Sequence, residues 1–429
     1  MRAMKDSGIQ WLGEYPATWS LKKIKYCLQE RIEKNNPVRT TDILSLTAKQ
    51  GVIPYDQKEG GGNKPKEDVS AYRLAYPGDI VMNSMNILSG SVGLSQYFGC
   101  VSPVYYMLRP WDTKEDVRYY NYIFQTTLFQ RSLYGLGNGI LIKESGNGKL
   151  NTIRMRIPMD KFGGLFIPVA SIDEQKRIAD FLDKKCTEID SLIEDIQAQI
   201  VALEQYKKSS ITEATTRGID ADAEVADSRV FYMGPINRNW GLSKIGYVCT
   251  KLAHTFQPED TALICSNKGK VLVRDEKATG IMVSEDNAMQ GIRKGDIAIH
   301  GMDTWHGAIA LSEMDGKITR VVHVCDSTED KRFVVYWLQH LAYQGVYKLI
   351  SNGVRGNTSD FRSWDKVSDI YIPIPSREEQ TAICDYLDHL CSEVEVIIET
   401  KREQIDTLES YKKSLIYEYV TGKKEVPAQ

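Results

Sequence analysis

Two histidines, His300 and His306, bracket Gly-Met-Asp-Thr-Trp, and in a chain with six histidines that spacing raises the question of a metal site. Zinc needs three or four His, Cys or carboxylate ligands gathered together, as in HExxH. No such pattern occurs, and an earlier, similar stretch carries Asn83 and Ser89 at those two places. Asp79 and Asp296 each stand in a Gly-Asp-Ile turn. A carboxylate there could serve as a general base, but an Asp that accepts hydrogen bonds from its own turn is the simpler reading. GGGNKPK (60–66) offers glycine and lysine to a phosphate. It lacks GxxxxGK[ST] and the flanking strand and helix, so it reads as an exposed loop. KFGGLF, from Lys161 to Phe166, leads into a helix and is no cofactor loop. Without a Pro-Pro dipeptide, the [ND]PP[YF] signature of amino-methylating enzymes is absent. Eight scattered cysteines form no CxxC pair and read as small buried hydrophobes or free thiols. No catalytic constellation emerges.

The elements that would position any site follow from length and pattern. At 429 residues the chain should hold two or more domains. Its composition is that of a globular protein. No run of eighteen apolar residues and no signal-like N-terminus exist, which points to a cytoplasmic protein without a membrane span. The formal net charge is −3. Both helical segments and the connector DADAEVADS are acidic, so the globular parts must be net basic, which is compatible with phosphate contacts.

The sequence is written twice. IPVASIDEQKRIADFLD, from Ile167, is answered by IPIPSREEQTAICDYLD, from Ile372. The match runs without a gap from Ile167–Thr216 to Ile372–Thr421, ending in EQYKKSSI and ESYKKSLI. KDSGIQWLGEYPATWSLKKI, from Lys5, is echoed by ADSRVFYMGPINRNWGLSKI, from Ala226. PGDIVMNSMNILSGSVGLS, from Pro77, answers KGDIAIHGMDTWHGAIALS, from Lys294. The resulting division is 1–166, a first globular module; 167–219, a helical segment; 220–229, a linker; 230–371, a second module; and 372–429, a second helical segment with a tail. The modules keep a Gly/Trp/Leu/Ile frame while the polar residues between differ, so the similar part does one structural job twice.

Leu182, Cys186, Ile189, Ile193, Ile196, Ile200 and Leu203 step by four and three, a heptad seam. Leu387, Cys391, Val394, Ile398, Lys401, Ile405 and Leu408 repeat it in phase, with Lys401 opposite Ile196 as a register-setting polar interruption. Each helix is expected to run about 35 residues, about 50 Å at 1.5 Å per residue. Such narrow stripes must pack on one another or on a partner. The fold class expected is α+β: two mixed α/β globular domains in tandem, each followed by a long helix. The two helices would pair as an antiparallel coiled coil within a pseudo-two-fold duplication. RYYNYIFQTTLFQRSLY, from Arg118, and KRFVVYWLQHLAYQGVY, from Lys331, read as helices inside the modules.

KDSGIQWLGEYPATW, its echo ADSRVFYMGPINRNW, and the IP-x-P-x-x-x-EQ joint leading into a helix with a YKKSLI-type end resemble the DNA-specificity (S) subunits of type I restriction–modification systems. Ala170 stands where the second proline of the first joint would be. The resemblance covers the chain from about Met4 to about Lys424, and the duplicated arrangement is its most specific part. It implies two target-recognition domains, each reading one half of a split, asymmetric site in double-stranded DNA. It also implies helices that space the halves and dock two methyltransferase (M) subunits, and a chain that is not itself an enzyme. S-adenosylmethionine, ATP and Mg would belong to partner subunits, with none in this chain, and restriction (R) subunits can join the complex. A helix of about 50 Å matches about fifteen base pairs at 3.4 Å each.

Base recognition needs side chains with paired donors and acceptors, ringed by Lys and Arg on phosphates. On the resemblance, one loop after each Gly-Asp-Ile qualifies: Asn83, Ser84, Asn86 and Ser89, then His300, Asp303, Thr304 and His306. A second is the Asn-Gly loop: Lys149, Asn151, Thr152 and Arg154, then Arg355, Asn357, Thr358 and Arg362. Lys49, Gln50, Lys64, Lys66, Lys268 and Lys270 could add backbone contacts. Trp305 reads as a packing residue. Glu174, Gln175, Glu379 and Gln380 open the helices and are candidates for partner contact. Two other classes stay open: a scaffold spaced by a coiled coil, and an enzyme whose motifs are not recognised.

Overall fold

A computed structural model of the chain describes residues 2–47, 50–58, 65–137, 142–144, 150–152, 156–274, 288–351 and 361–427. It divides into two compact units, Met1–Asp195 with Glu403–Gln429, and Ile196–Arg402. This partition differs from the linear one, because each unit takes part of both long helices.

The first unit is built on a four-stranded antiparallel sheet in the order Leu28–Glu30, Tyr105–Pro110, Ile80–Asn83, Val92–Leu94. The aromatic-rich stretch expected to be one helix forms two, Val117–Gln125 and Thr127–Ser132. Thr126 between them is extended, and its hydroxyl donates to the Ile123 carbonyl. These helices lay Tyr119, Tyr120, Phe124 and Phe129 on a core that includes Trp11, Trp19 and Phe162. Ser20–Lys23 pairs with Phe166–Val169, and that strand delivers the chain to the central helix, Ile172–Thr216.

The second unit repeats the plan. Cys249–Lys251, Val322–Ser327, Ile297–His300 and Ile309–Leu311 form the equivalent sheet in the equivalent order. Its helical stretch is likewise two helices, Lys331–Tyr343 and Val346–Ile350, separated at Gly345. Gly241–Lys244 pairs with Tyr371–Ile374, which leads into the C-terminal helix, Arg377–Val420. Pro168 and Pro373 sit inside these exit strands, which two-stranded sheets tolerate because one strand edge needs no donor.

The long helices run 45 and 44 residues, longer than the seam alone implies. Beyond the seam, Ile211 and Ala214 enter the core of the second unit with Met233, Ile236 and Trp240. Leu415, Ile416, Tyr419 and Val420 enter the core of the first unit beside Trp19. In each unit the start of one helix lies beside the end of the other, the antiparallel sense. Lys412 bridges Asp190 at 2.6 Å in the first unit. The matched residues Lys207 and Glu395 bridge at 2.7 Å in the second. Lys401, the interruption in the seam, donates to Gln199 at 2.5 Å. The seam is buried at Leu182, Cys186, Ile189, Leu387, Cys391, Val394 and Ile398. All eight cysteines are buried free thiols. Among the described residues no helix is long and apolar enough to cross a membrane.

Candidate nucleic-acid interface

The turn that follows each Gly-Asp-Ile strand is closed by a left-handed glycine, Gly90 at φ 83° and Gly307 at φ 78°. Within it the first-unit candidates separate. Asn83 is buried and accepts from the Met85 N–H at 3.0 Å, and Ser84 is wholly buried, donating to the Val104 carbonyl at 2.7 Å. Asn86 is exposed. The Ser89 side chain lies outside the described residues. In the second unit Thr304 is wholly buried and His306 is exposed. His300 is half-buried; its Nδ1 accepts from the Asp303 N–H at 3.1 Å, with the Asp303 carboxylate 3.2 Å away. Burial lowers the His300 pKa and Asp303 opposes it, so the ring is the neutral acceptor of its own turn. Asn83, Ser84 and Thr304, expected to face a duplex, are buried, Asn83 and Ser84 with backbone hydrogen-bond partners. Asn86, Asp303 and His306 remain outward.

The two expected loops meet in each unit. The hairpin of Ile142–Glu144 and Leu150–Thr152 packs against Ile87–Ser89, and the Ile157 N–H donates to the Ser84 carbonyl at 3.0 Å. Correspondingly, the Phe361 N–H donates to the Gly301 carbonyl at 3.0 Å, which brings exposed Arg362 to the turn of the second unit. For Asn151 and Thr152 only the strand is described, and Lys49, Lys64, Lys149, Arg154, Arg355, Asn357 and Thr358 lie outside the described residues. Gln50, Lys66, Lys268 and Lys270 are exposed. Asp79 is the turn former expected: buried, it accepts from the Tyr76 N–H at 3.0 Å and from Arg31 at 2.9 Å. Asp296 accepts from the Arg293 N–H at 2.7 Å. Among the described residues no group of His, Cys, Asp and Glu could hold a metal ion.

The Glu-Gln pairs turn inward. Gln175 and Gln380 are buried; each donates to the carbonyl five residues earlier, of Ala170 or Pro375, at 3.0 Å. Each also accepts from a domain backbone N–H, that of Asp116 at 3.1 Å or of Asp330 at 2.8 Å. Glu174 receives the Trp19 indole N–H at 2.7 Å and Arg2 at 2.5 Å, while Glu379 faces Trp240 at 3.4 Å and closes a capping box with Ser376. The glutamines expected to contact a partner fasten each domain to its helix. Ala170 serves as well as Pro375 because the joint uses the carbonyl and not the ring.

Sequence reading missed the rest of this fastening. Arg118 donates to Asp183 and Asp116 and lies 2.8 Å from Asp180; Arg332 does the same with Asp388, Asp330 and Asp385. Tyr122 and Tyr336 each donate to the same aspartate, Asp183 or Asp388, at 2.6 Å. The repeat of Asp183 in Asp388 was the visible signal, but its arginine lies in a stretch where the two modules have diverged.

No family model matches the sequence. Two relatives from Methanocaldococcus jannaschii do. One, provisionally named as the type I restriction enzyme MjaX specificity subunit, is 22% identical over 438 residues, spanning 96% of this chain and 95% of the relative. The type I restriction enzyme MjaVIII specificity subunit is 24% identical over 283 residues, 61% of this chain and 63% of its own. A chain solved in work on complex assembly and conformational transition of the type I R-M system superposes with a TM-score of 0.66 at 13% identity. That superposition covers 96% of this chain and 99% of the other, and it establishes the tandem two-domain fold. The resemblance to type I specificity subunits read from the sequence thus holds along nearly the whole chain.

Proposed function

We propose that this chain, similar throughout its length to type I specificity subunits, selects the DNA target of a type I restriction–modification complex. The observation that carries the reading is the duplication itself. Two domains share one sheet order and one mode of attachment, yet on matching turns exposed Asn86 in one stands against Asp303 and exposed His306 in the other. Two frames with different readers suit a bipartite, asymmetric duplex. The paired helices set the distance between the halves and carry two methyltransferase subunits, to which the matched helix faces offer equivalent surfaces. Methyl transfer with S-adenosylmethionine, and ATP- and Mg-dependent cleavage where restriction subunits are present, fall to those partners; this chain contributes recognition.

Methylome sequencing of cells carrying the system tests this directly. The expected result is one split site with two specified segments and an unread gap, and replacing residues 230–371 with the second domain of another specificity subunit should change one segment only. A single continuous site, or methylation by the isolated chain, would overturn the reading.

A further inference from the structure

Within the second unit a cleft opens between the globular domain and the long helices, and its walls unite residues from both. The domain side contributes Trp305 and His306 from the turn after the Gly-Asp-Ile strand, and Lys268 and Lys270 from the hairpin of Leu263–Cys265 and Val271–Val273. The helix side contributes Lys207, Lys208 and Arg402. Five Lys and Arg line it against three carboxylates, Glu204, Glu395 and Glu399.

The charges are ordered. Glu395 takes Lys207 at 2.7 Å and Lys270 at 2.5 Å, tying the hairpin to the helix pair. Burial works to raise the Glu395 carboxyl, but the two lysines more than reverse this and keep it below the ordinary carboxylate range. Lys208 and Lys268 have no carboxylate partner among the described residues, and the Lys208 ammonium lies 5.7 Å from the Tyr343 ring. The Trp305 indole forms part of the wall with its buried N–H unpartnered. A packing tryptophan would ordinarily satisfy that donor.

We propose that this cleft holds the sugar–phosphate backbone of the unread gap beside the half-site of the second domain. The inference rests on the proposed function. Lys208 beside the Tyr343 face and a second unpaired lysine, Lys268, suit a polyanion with apolar sugars, and His306 and Lys268 link the cleft to the outward residues of the reading turn. The contact is one-sided. By the internal repeat, Lys207 and Lys208 correspond to Lys412 and Lys413, but Leu88 stands for Trp305 and Gln197 for Arg402. The spacer helices thereby grip the gap near one half of the target, in addition to setting its length.

The test uses the full-length chain assembled with its methyltransferase subunits on a duplex carrying its methylome-determined site. Ethylation interference on the wild type should mark gap phosphates beside one half-site only. The pair Lys208→Ala and Lys268→Ala should erase those marks, keep target choice, and lower the slope of log K against log salt by about 1.8, at about 0.9 per phosphate. Lys413→Ala is the matched control and should leave those marks in place. Sequence-specific binding with unmarked gap phosphates, or an unchanged slope in the double variant, would overturn the inference and leave the proposed function standing. Loss of subunit assembly with DNA contacts intact would overturn it in favour of a protein occupant. Absence of any sequence preference in the wild type would remove the proposed function as well.

Discussion

Arg118 donates to Asp183 at 2.6 Å, joining the first helix of the first domain to the long helix that leaves it. The same guanidinium also covers Asp116, whose side chain is only 7% exposed. In the second unit Arg332 covers Asp330, which is 17% exposed. Removing either arginine leaves the carboxylate with the backbone N–H that it caps, at 2.9 Å in both units, and the better-buried one suffers more. We expect Arg118→Ala to destabilise the first unit by about 1–3 kcal/mol and Arg332→Ala to cost less, as read by urea unfolding. Arg118→Lys should recover little, because an ammonium cannot fork to three carboxylates.

Gln175→Ala and Gln380→Ala address the joint from the other side. Each leaves a buried carbonyl and a buried N–H without a partner, for an expected loss of about 1–3 kcal/mol. Assembly with partner subunits should survive at temperatures where the variant is folded. Normal unfolding combined with failed assembly would return these glutamines to the docking role that their position at the helix start suggested.

Acid should act on the second unit first, since every histidine lies between His254 and His389. Burial lowers His340 to about 4, and its ring meets the Thr212 hydroxyl at 3.1 Å. Burial also lowers His323, though its bond to the Phe361 carbonyl partly opposes this. A histidine depressed in the folded state takes up its proton more readily when unfolded, so stability rises with pH across the window from about 4 to the ordinary 6.5. Lowering pH through that window should destabilise the second unit, and His340→Gln should flatten the profile measured by thermal unfolding. An unchanged profile would exclude His340 as the origin.

The bridge of Lys412 to Asp190 and the matched bridge of Lys207 to Glu395 predict a charge-swap result. Asp190→Lys or Lys412→Asp alone should cost about 0.5 kcal/mol, with most of it recovered in the double swap. Coupling of that sign in a double-mutant cycle reports the antiparallel register directly.

The heptad seam and the duplicated joint were legible in the sequence because both are local and periodic. Heptad spacing alone dictated which face of each helix is buried. Helix length was not legible: Ile211, Ala214, Tyr419 and Val420 extend each helix only because a distant core receives them. The candidate reading loops were chosen by composition, which cannot separate Asn86 from Asn83. One points out and the other spends its amide on the Met85 N–H, a distinction made by turn geometry. Trp305, read as a packing residue, does pack against the core of the second unit.

Arg2 reaches the Gly422 carbonyl at 2.7 Å, and Gly422, at φ 71°, packs so closely on Pro16 that no side chain fits there. The two chain ends are thus neighbours in the first unit, while residues 220–222 form an exposed turn in the second. Arg2 also lies 3.6 Å from Glu425, so a short link spans residues 427 and 2 within the first unit. A circular permutant opened at Ala221, with residue 427 joined to residue 2 by a short linker, would keep every contact described above.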